Sequence, residues 1–320
     1  MSTNIPLLYE KGVTVDMSAN SNLRKASTEK NDEFYTQFID VSKELIHYKQ
    51  HFKDKIVLCN CDDPTMSAFW KYFHLNFKAL GLKKIISTHY DKTRPTYKME
   101  YTGGNDNDIK VGVKTPLEGN GDFRSQECID ILDESDIVVT NPPFSLAREY
   151  IACLVEHNKC FLIIGDMNWI SYKEFFPFLQ DNKIWLGNCV VKEFIQPDGS
   201  IKKFGNKLWF TNLDYKKRHE DLILWKKYSS DEYLKFDNID AINVNKTKDI
   251  PVDYDGVMGV PITFLDKYNP DQFEIINGVG RYAVIENEYS NPIGTYGTDV
   301  NGKHNYFRIL IRKKIGTNNG

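Results

Sequence analysis

Short apolar runs and amphipathic stretches alternate through the first two thirds of the chain. The runs "KIVLCNCDD", "KKIISTHY", "DIVVT" and "KCFLIIG" carry consecutive apolar residues instead of one at every second position. Strands that are buried on both faces have this pattern. Because helical stretches separate the runs, the sequence predicts an α/β fold, with a doubly wound, mostly parallel sheet that helices cover on both faces.

The amphipathic segments are the predicted helices. Their apolar residues recur every three or four positions, which is the spacing of a helix with one buried face. The segments are "DEFYTQFIDVSKELIHYKQHF", "SAFWKYFHLNFKALG", "SQECIDILDES", "SLAREYIACLVEH" and "SYKEFFPFLQDN". Gly81 closes the second one, since glycine readily takes the left-handed conformation that ends a helix. Residues 91–121 are polar and rich in Gly and Asn, and we expect them to hold short strands at most.

The pattern divides the chain into three parts. Residues 1–30 are rich in Ser, Thr and Asn and have little periodicity, which predicts a flexible N-terminal arm. Residues 31–215 carry the alternation of strands and helices and form the predicted α/β domain. Residues 216–320 are loop-rich, include the strand-like "YFRILIR" near their end, and form a smaller C-terminal region.

Composition and charge exclude several classes of protein. No apolar run approaches the ~20 residues that span a bilayer, and no secretory signal is visible, so we expect a cytoplasmic protein without a membrane partner. The six cysteines lack paired spacing, which predicts reduced thiols and no metal site. The net charge is −3, yet residues 202–227 hold eight Lys or Arg against three Asp or Glu. Such a basic face suits phosphates, although a solvated surface explains it equally well.

The stretch "DIVVTNPPFSL" ends a buried strand in an asparagine, two prolines and a phenylalanine. In a doubly wound sheet ligands bind beyond the carboxyl ends of the strands, and Asn141 falls at that edge. A residue before proline is held extended, and each proline has a fixed φ and no N–H. The side-chain carbonyl of Asn141 and the backbone carbonyl of Pro142 should therefore point into the cleft, beside the Phe144 ring. Two acceptors and a flat ring suit a planar group that carries an NH₂.

This "NPPF" tetrapeptide resembles the catalytic motif of amino-methyltransferases that act on the exocyclic amine of adenine. "DEFYTQ" resembles the cofactor-contacting segment of such enzymes, and "GDFRS" resembles their adenine-pocket Asp-Phe pair. With "VLCNCDDP", "LWFTNLD", "DGVMGVPITFLDKYNP" and "YFRILI", these segments are similar to the EcoRI-type adenine-specific DNA methyltransferases from about residue 32 to the C-terminus. The resemblance implies the fold of an S-adenosylmethionine-dependent methyltransferase for residues 31–215 and target recognition for residues 216–320.

The resemblance also implies roles for individual residues. Asn141 and Pro142 would accept hydrogen bonds from the adenine amine, and Phe144 would stack on the base. S-adenosyl-L-methionine is the implied cofactor, and its predicted contacts are Phe34, Tyr35, Thr36, Asp62, Asp63 and Asp122. The predicted contacts to the base are Phe123, Pro143, Trp209 and Phe210. Trp209 could equally be a core residue, and Asp122 could instead cap the following helix.

The sequence departs from the family pattern after the first strand. The glycine-rich loop that is usual in S-adenosylmethionine enzymes is missing, and "CNCDDP" stands in its place. Asp62 or Asp63 is expected to take over one of the roles of that loop. The second strand, "IISTHYD", also lacks a clean terminal carboxylate, and Asp91 is a weaker candidate for the same task.

We expect the residues that recognise the DNA sequence to lie outside the catalytic core, from about Gly187 onward. The segments there are polar and carry the local basic excess, which suits contacts in a DNA groove. Arg281 is the candidate for reading a guanine, and Lys202 and Lys203 are the candidates for holding phosphates.

These observations predict a monomeric, site-specific DNA adenine methyltransferase that acts on a flipped-out base in double-stranded DNA. By resemblance it would be the modification partner of a restriction endonuclease that acts on the same site without direct contact, or a solitary relative of such an enzyme. Two alternatives stay open at this point. One is an RNA adenine methyltransferase, and the other is a catalytically silent nucleic-acid-binding relative, which the degenerate "CNCDDP" would favour.

Overall fold

The structure is a computed structural model that describes residues 35–196, 199–280 and 298–314. The predicted arm over residues 1–30 lies outside the described residues, as do the predicted contacts Phe34 and Arg281. The described residues form one sheet of nine strands and a second sheet of four.

The strands of the large sheet come first along the chain. They are β1 (Tyr35–Thr36), β2 (Ile56–Cys59), β3 (Lys84–Thr88), β4 (Tyr97–Tyr101), β5 (Val113–Pro116), β6 (Ile137–Thr140), β7 (Cys160–Asp166), β8 (Trp185–Ile195) and β9 (Ile201–Thr211). The small sheet holds β10 (Ile242–Asn243), β11 (Met258–Pro261), β12 (Phe273–Val279) and β13 (Arg308–Lys313). The short antiparallel strands β4 and β5 fall in the polar segment of residues 91–121, as predicted.

The large sheet has the order β1-β8-β9-β7-β6-β2-β3-β4-β5. Its centre, β7-β6-β2-β3, is parallel, which confirms the prediction for the four apolar runs. The outer strands on both sides are antiparallel, so the sheet is mixed, and "mostly parallel" overstates the case. A strand that is buried on both faces reads as apolar in either direction, so the pattern alone does not give strand direction.

Among the described residues, six α-helices lie between the strands of the large sheet. They are α1 (Phe38–Leu45), α2 (Ala68–Leu75), α3 (Phe77–Leu80), α4 (Gln126–Glu134), α5 (Ala147–Glu156) and α6 (Phe176–Gln180). Several are shorter than the amphipathic pattern predicts. The segment expected to be one helix up to Gly81 is broken at Asn76, although Gly81 closes it in the left-handed conformation with φ 64°. Helix α6 begins only at Phe176, because Pro177 has no N–H and fits only the first turn.

Helices cover both faces of the large sheet. Alternate residues of each central strand enter two separate cores, as Val138 and Val139 of β6 show. Helices α4, α5 and α6 pack on the face of Val138, and α1, α2 and α3 pack on the face of Val139. The predicted layered α/β architecture is therefore confirmed, with every central strand buried on both sides.

The small sheet packs on the same core as α4, α5 and α6. Side chains of β11, β12 and β13 belong to this core together with Phe176 and Leu179 of α6. The approach is close, since a Cβ at Gly278 of β12 would lie 2.8 Å from the Phe176 ring. Gln180 also donates a hydrogen bond of 2.6 Å to the Ile276 carbonyl. The division of the chain near residue 215 stays a prediction, and the two parts share one core.

Candidate active site

The loops after β2, β3 and β6 meet at the carboxyl edge of the parallel strands. The Thr140 hydroxyl donates to the backbone carbonyl of Asn60, and the Tyr150 hydroxyl donates to the Asn60 side-chain carbonyl over 2.6 Å. The Ser87 hydroxyl reaches the Cys59 carbonyl over 2.9 Å. Because these hydrogen bonds tie β3, the end of β6 and helix α5 to the end of β2, this edge is a rigid platform for a ligand.

Asn141 follows the last residue of β6 on this platform. It is only 7% exposed, and its side-chain oxygen is buried. The chain stays extended to Pro143 (φ −61°, ψ 120°), as two consecutive prolines require. The Pro143 carbonyl then accepts a hydrogen bond of 3.0 Å from the Leu146 N–H, and a 3₁₀ turn that begins at Phe144 leads into α5. Asn141 and Phe144 are thus held at the predicted edge between a buried strand and a helix.

The half-buried Phe144 ring lies among side chains of the β8–β9 hairpin. The ring centroids of Phe194 and Phe204 lie 6.2 Å and 6.4 Å from that of Phe144, in edge-to-face arrangements. The ammonium of Lys207 lies 4.1 Å from the centre of the Phe144 ring. Sequence reasoning missed these three residues, because it assigned the segment around them to target recognition. The signal was present in "QPDGS", whose residue types favour a turn, between two runs of strand-forming residues.

The predicted cofactor-contacting segment reaches the same place. Strand β1 pairs with the end of β8, and the pairing sets Thr36 opposite Phe194. Tyr35 and Thr36 therefore lie one strand away from a ring that contacts Phe144. Thr36 is 3% exposed, and its hydroxyl oxygen has no hydrogen-bond partner among the described residues.

The loop that replaces the glycine-rich motif carries its own constraints. Cys61 has φ 72°, in the left-handed region that favours glycine, so the chain makes a glycine-like turn here without a glycine. Asp62 is buried and accepts a hydrogen bond from Ser67. Asp63 accepts hydrogen bonds from the Thr65 N–H, the Thr65 hydroxyl and the Tyr97 hydroxyl.

Asp63 and His89 form the charged part of this loop region. Burial alone would raise the pKa of Asp63, but its hydrogen bonds and the nearby His89 hold that pKa below the ordinary value. Burial lowers the pKa of His89, whose Nδ1 is buried and has no hydrogen-bond partner in the part of the chain that the structure describes. Asp91 was the weaker candidate for contacting the cofactor. Its carboxylate accepts hydrogen bonds from the Thr93 and Arg94 N–H groups and from the Arg94 side chain.

Asp122 and Phe123 lie beside the same loop. The Arg124 side chain donates to both oxygens of Asp122 over 2.9 Å and 2.7 Å, and these bonds hold the pKa of Asp122 below its usual value. The cap of helix α4 is Ser125 and not Asp122, which removes the alternative role for this carboxylate. Phe123 is 7% exposed and packs edge-to-face on Tyr150 at 5.0 Å.

Two of the predicted contacts to the base lie in the protein core and not in the cleft. Trp209 and Phe210 are 0% exposed, and they enter the two opposite cores of the large sheet. Their predicted stacking on a base is therefore corrected, because β9 lies inside the sheet and both of its faces are covered there. Lys202 and Lys203 lie on the exposed part of β9, near the hairpin turn, and Lys203 pairs with Glu193 at 3.3 Å.

The edge has features that fit a nucleoside-like cofactor. The hydroxyl of Thr36 and the Nδ1 of His89 are buried polar atoms that need a partner, and such atoms are seldom left unsatisfied in a folded protein. The described residues contain no cluster of three side chains suited to a metal ion. None of the described helices is long and apolar enough to cross a membrane.

Comparisons with known proteins agree with this geometry. The family model described as "Adenine-specific methyltransferase EcoRI" matches residues 22–314. The chain is 47% identical to the Type II methyltransferase M.EcoRI of Escherichia coli, over 93% of this chain and 98% of the relative. It is 38% identical to M.MgeORF184P of Mycoplasma genitalium and 37% identical to M.MpnI of Mycoplasma pneumoniae, both Type II methyltransferases. Each alignment covers 91% of this chain and at least 97% of the relative. No solved structure matches the chain. The chain therefore belongs to the EcoRI family of adenine-specific methyltransferases.

Proposed function

We propose that the chain transfers a methyl group from S-adenosylmethionine to the exocyclic amine of a flipped-out adenine in duplex DNA, at a specific sequence. The observation that carries the proposal is the meeting of three predicted segments at one sheet edge. The Asn-Pro-Pro-Phe turn, the strand Tyr35–Thr36 and the loop around Asp63 lie there within one network of contacts.

Asn141 and Pro142 act on the amine. Its lone pair is delocalised into the adenine ring, so the nitrogen is a weak nucleophile. Hydrogen bonds from both amine hydrogens to the Asn141 side-chain carbonyl and the Pro142 backbone carbonyl favour a pyramidal nitrogen. They point its lone pair toward the methyl group, and the acceptors are already in place before the reaction. No general base is needed, since the nitrogen loses its proton readily once it is methylated.

The aromatic side chains hold the base. A target adenine has to leave the DNA stack to reach this cleft, and Phe144 takes one of its faces. Trp209 and Phe210 are buried in the two cores of the sheet, so neither takes the second face of the base. Pro143 and Phe123 complete the wall of the pocket. Stacking of this kind contributes ~1–3 kcal/mol per base.

The cofactor binds beside this pocket. S-adenosylmethionine, when bound, supplies an electrophilic methyl group on its sulfonium. Thr36 and His89 offer the buried polar atoms that lack partners among the described residues, and Asp63 offers a carboxylate for hydroxyl groups. Asp62 orders the loop from within, and Asp122, held by Arg124, suits the amine of the cofactor or the base edge.

DNA binding is assigned to the hairpin and the C-terminal part of the chain. Lys202 and Lys203 hold phosphates near the cleft, and residues 216–320 read the sequence. Arg281, outside the described residues, is kept as the candidate for a guanine. The enzyme acts as a monomer, and a restriction endonuclease of the same specificity is its partner in the cell without direct contact.

Methylation of plasmid DNA tests this function. We expect tritium from labelled S-adenosylmethionine to appear in DNA as N6-methyladenine at one short sequence, and to be absent from an RNA transcript of the same plasmid. Labelling of the RNA alone would establish the RNA alternative. Calorimetry with S-adenosylhomocysteine distinguishes the enzyme from a catalytically silent nucleic-acid-binding relative. Such a relative would bind DNA but would not bind this ligand.

A further inference from the structure

Lys207 is a buried lysine at the carboxyl edge of the large sheet. It lies on β9 opposite Asp166, the last residue of β7, and is only 4% exposed. Its ammonium forms an ion pair of 2.6 Å with Asp166. Both oxygens of this carboxylate also accept hydrogen bonds of 2.9 Å from the Asn206 amide. The lysine is thus held in one position by a fully engaged carboxylate.

Such a pair is poorly explained by fold stability. Burial of a charged group is unfavourable, and apolar residues of similar volume are often as good or better in such places. Lysine is also among the residues that are least often buried. An ion pair retained at the edge where ligands bind points to a role in the site itself.

The ammonium is directed at the rings of the candidate active site. It lies over the Phe144 ring at 4.1 Å and is 5.0 Å from the centre of the Phe204 ring. A cation at this distance from a ring face is attracted by the negative charge of the π system, and the attraction is strongest where water is excluded. A flat ring has two faces, and Lys207 covers one face of Phe144.

We propose that Lys207, anchored by Asp166, is a positioning residue for the Phe144 ring: it covers one face of the ring, and the target adenine stacks on the other. The proposal rests on the proposed function, in which Phe144 contacts the base. Lys207 does not touch the substrate. It fixes the plane on which the adenine lies relative to Asn141, three residues earlier in the same turn.

The contact can be tested without DNA. With 4-fluorophenylalanine at position 144, the fluorine resonance should shift when Lys207 is replaced by Met, which removes the charge and keeps most of the volume. The control is Lys159→Met, at the amino end of β7. Lys159 is also largely buried, with 10% of its side chain exposed, and it donates to the Asp133 and Ser135 carbonyls far from the cleft. A fluorine resonance that responds equally to both variants would overturn the contact.

The role in base positioning needs a second measurement. The substrate is a duplex that contains the adenine methylated by the wild-type enzyme in plasmid DNA. The probe is the same duplex with 2-aminopurine at that position, which lacks the C6 amine and reports only on the extrahelical base. We expect Lys207→Met to raise KM for the adenine duplex about tenfold, with a smaller change in kcat, and to reduce the fluorescence of the extrahelical base in the 2-aminopurine duplex. Lys207→Arg, which keeps a cation beside Asp166, should restore most of both signals.

Several results would overturn the proposal. If Lys207→Met behaves like Lys159→Met on the duplex, the lysine has no role in positioning. If the Lys207→Met enzyme binds the extrahelical base more tightly than the wild type, Lys207 occupies the face of Phe144 on which the base stacks. If Lys207→Met fails to fold, Asp166→Asn replaces it in the test. This change weakens the ion pair that holds Lys207, so it must raise KM as well, by a smaller factor. If the wild type methylates no adenine, the proposed function fails, and the fluorine measurement still decides the contact.

Discussion

Asn141 combines a primary amide with almost complete burial at the end of a strand. Its side-chain carbonyl lies where ligands bind in such a sheet, so it is suited to accept from a ligand amine that arrives at this edge. We expect Asn141→Ala to lower the methylation rate by ~10²-fold or more, because one acceptor used in the transition state is lost. Affinity for DNA and for S-adenosylhomocysteine should stay within a few-fold of wild type, as single-turnover rates and calorimetry will show.

The matched control for this change is Asn212→Ala. Asn212 lies at the other end of the sheet, where its side chain accepts from the Phe161 N–H and donates to the Lys159 carbonyl. Its loss should lower the melting temperature and leave the rate per folded molecule unchanged. A rate for Asn141→Ala above about a tenth of wild type would remove Asn141 from catalysis.

The β8–β9 hairpin is the element that completes the site. Its strands are eleven residues each, and the register between them shifts near Leu186 and Val190. The buried Glu44 of α1 accepts hydrogen bonds of 2.7 Å from the Asn188 and Cys189 N–H groups at this irregularity. One end of the hairpin is thereby anchored in the sheet, while the other carries Phe194 and Phe204 to Phe144.

The exposed end of this hairpin leads to a prediction about DNA. Lys202→Ala or Lys203→Ala should weaken binding to all sequences equally, and each should reduce the slope of log K against log salt by about 0.9 for the lost phosphate contact. Binding isotherms at several salt concentrations give the slope. Lys183→Ala is the control, since Lys183 is exposed but pairs with Asp181 away from the cleft. A change in which base sequence is methylated would contradict a pure phosphate role.

At the scale of the whole molecule, the two sheets are joined by a shared core and by His219. The His219 ring lies 2.6 Å from Asp271, just before β12, and 2.9 Å from Asp214, just after β9. Hydrogen bonds to Asp271 and Asp214 raise the pKa of His219 above its ordinary value. The charged ring therefore links the end of one sheet to the start of a strand in the other.

The raised pKa predicts a dependence of stability on pH. Because the folded state binds the proton more tightly, the stabilisation by His219 is complete below the unfolded pKa of about 6.5 and is lost as pH rises through the folded value. His219→Gln should therefore lower the melting temperature at pH 6, by on the order of 1–3 °C for an exposed pair, and hardly at pH 9. The control is His157→Gln, because His157 contacts one carboxylate, that of Asp133, whereas His219 contacts two. An equal loss at both pH values would contradict the linkage.

The amino-acid sequence by itself determined the local features of this protein. Consecutive apolar residues marked the four parallel strands, because burial on both faces leaves no polar position in such a strand. The two prolines made the chain extended after Asn141, because the φ of proline is restricted by its own ring. The family motifs were readable for the same reason: their residues are neighbours in the chain, and their chemistry depends on short-range geometry.

Only the tertiary structure decided which distant segments meet. Trp209 and Phe210 were assigned to the cleft, although their place inside β9 buries both of them. Phe204 and Lys207 were read as part of a polar recognition segment, although the hairpin brings them to Phe144. An apolar or basic residue has the same local pattern at a core, a surface or a site. Its role is set by strand order and by packing against residues far away in the chain, which no local pattern contains.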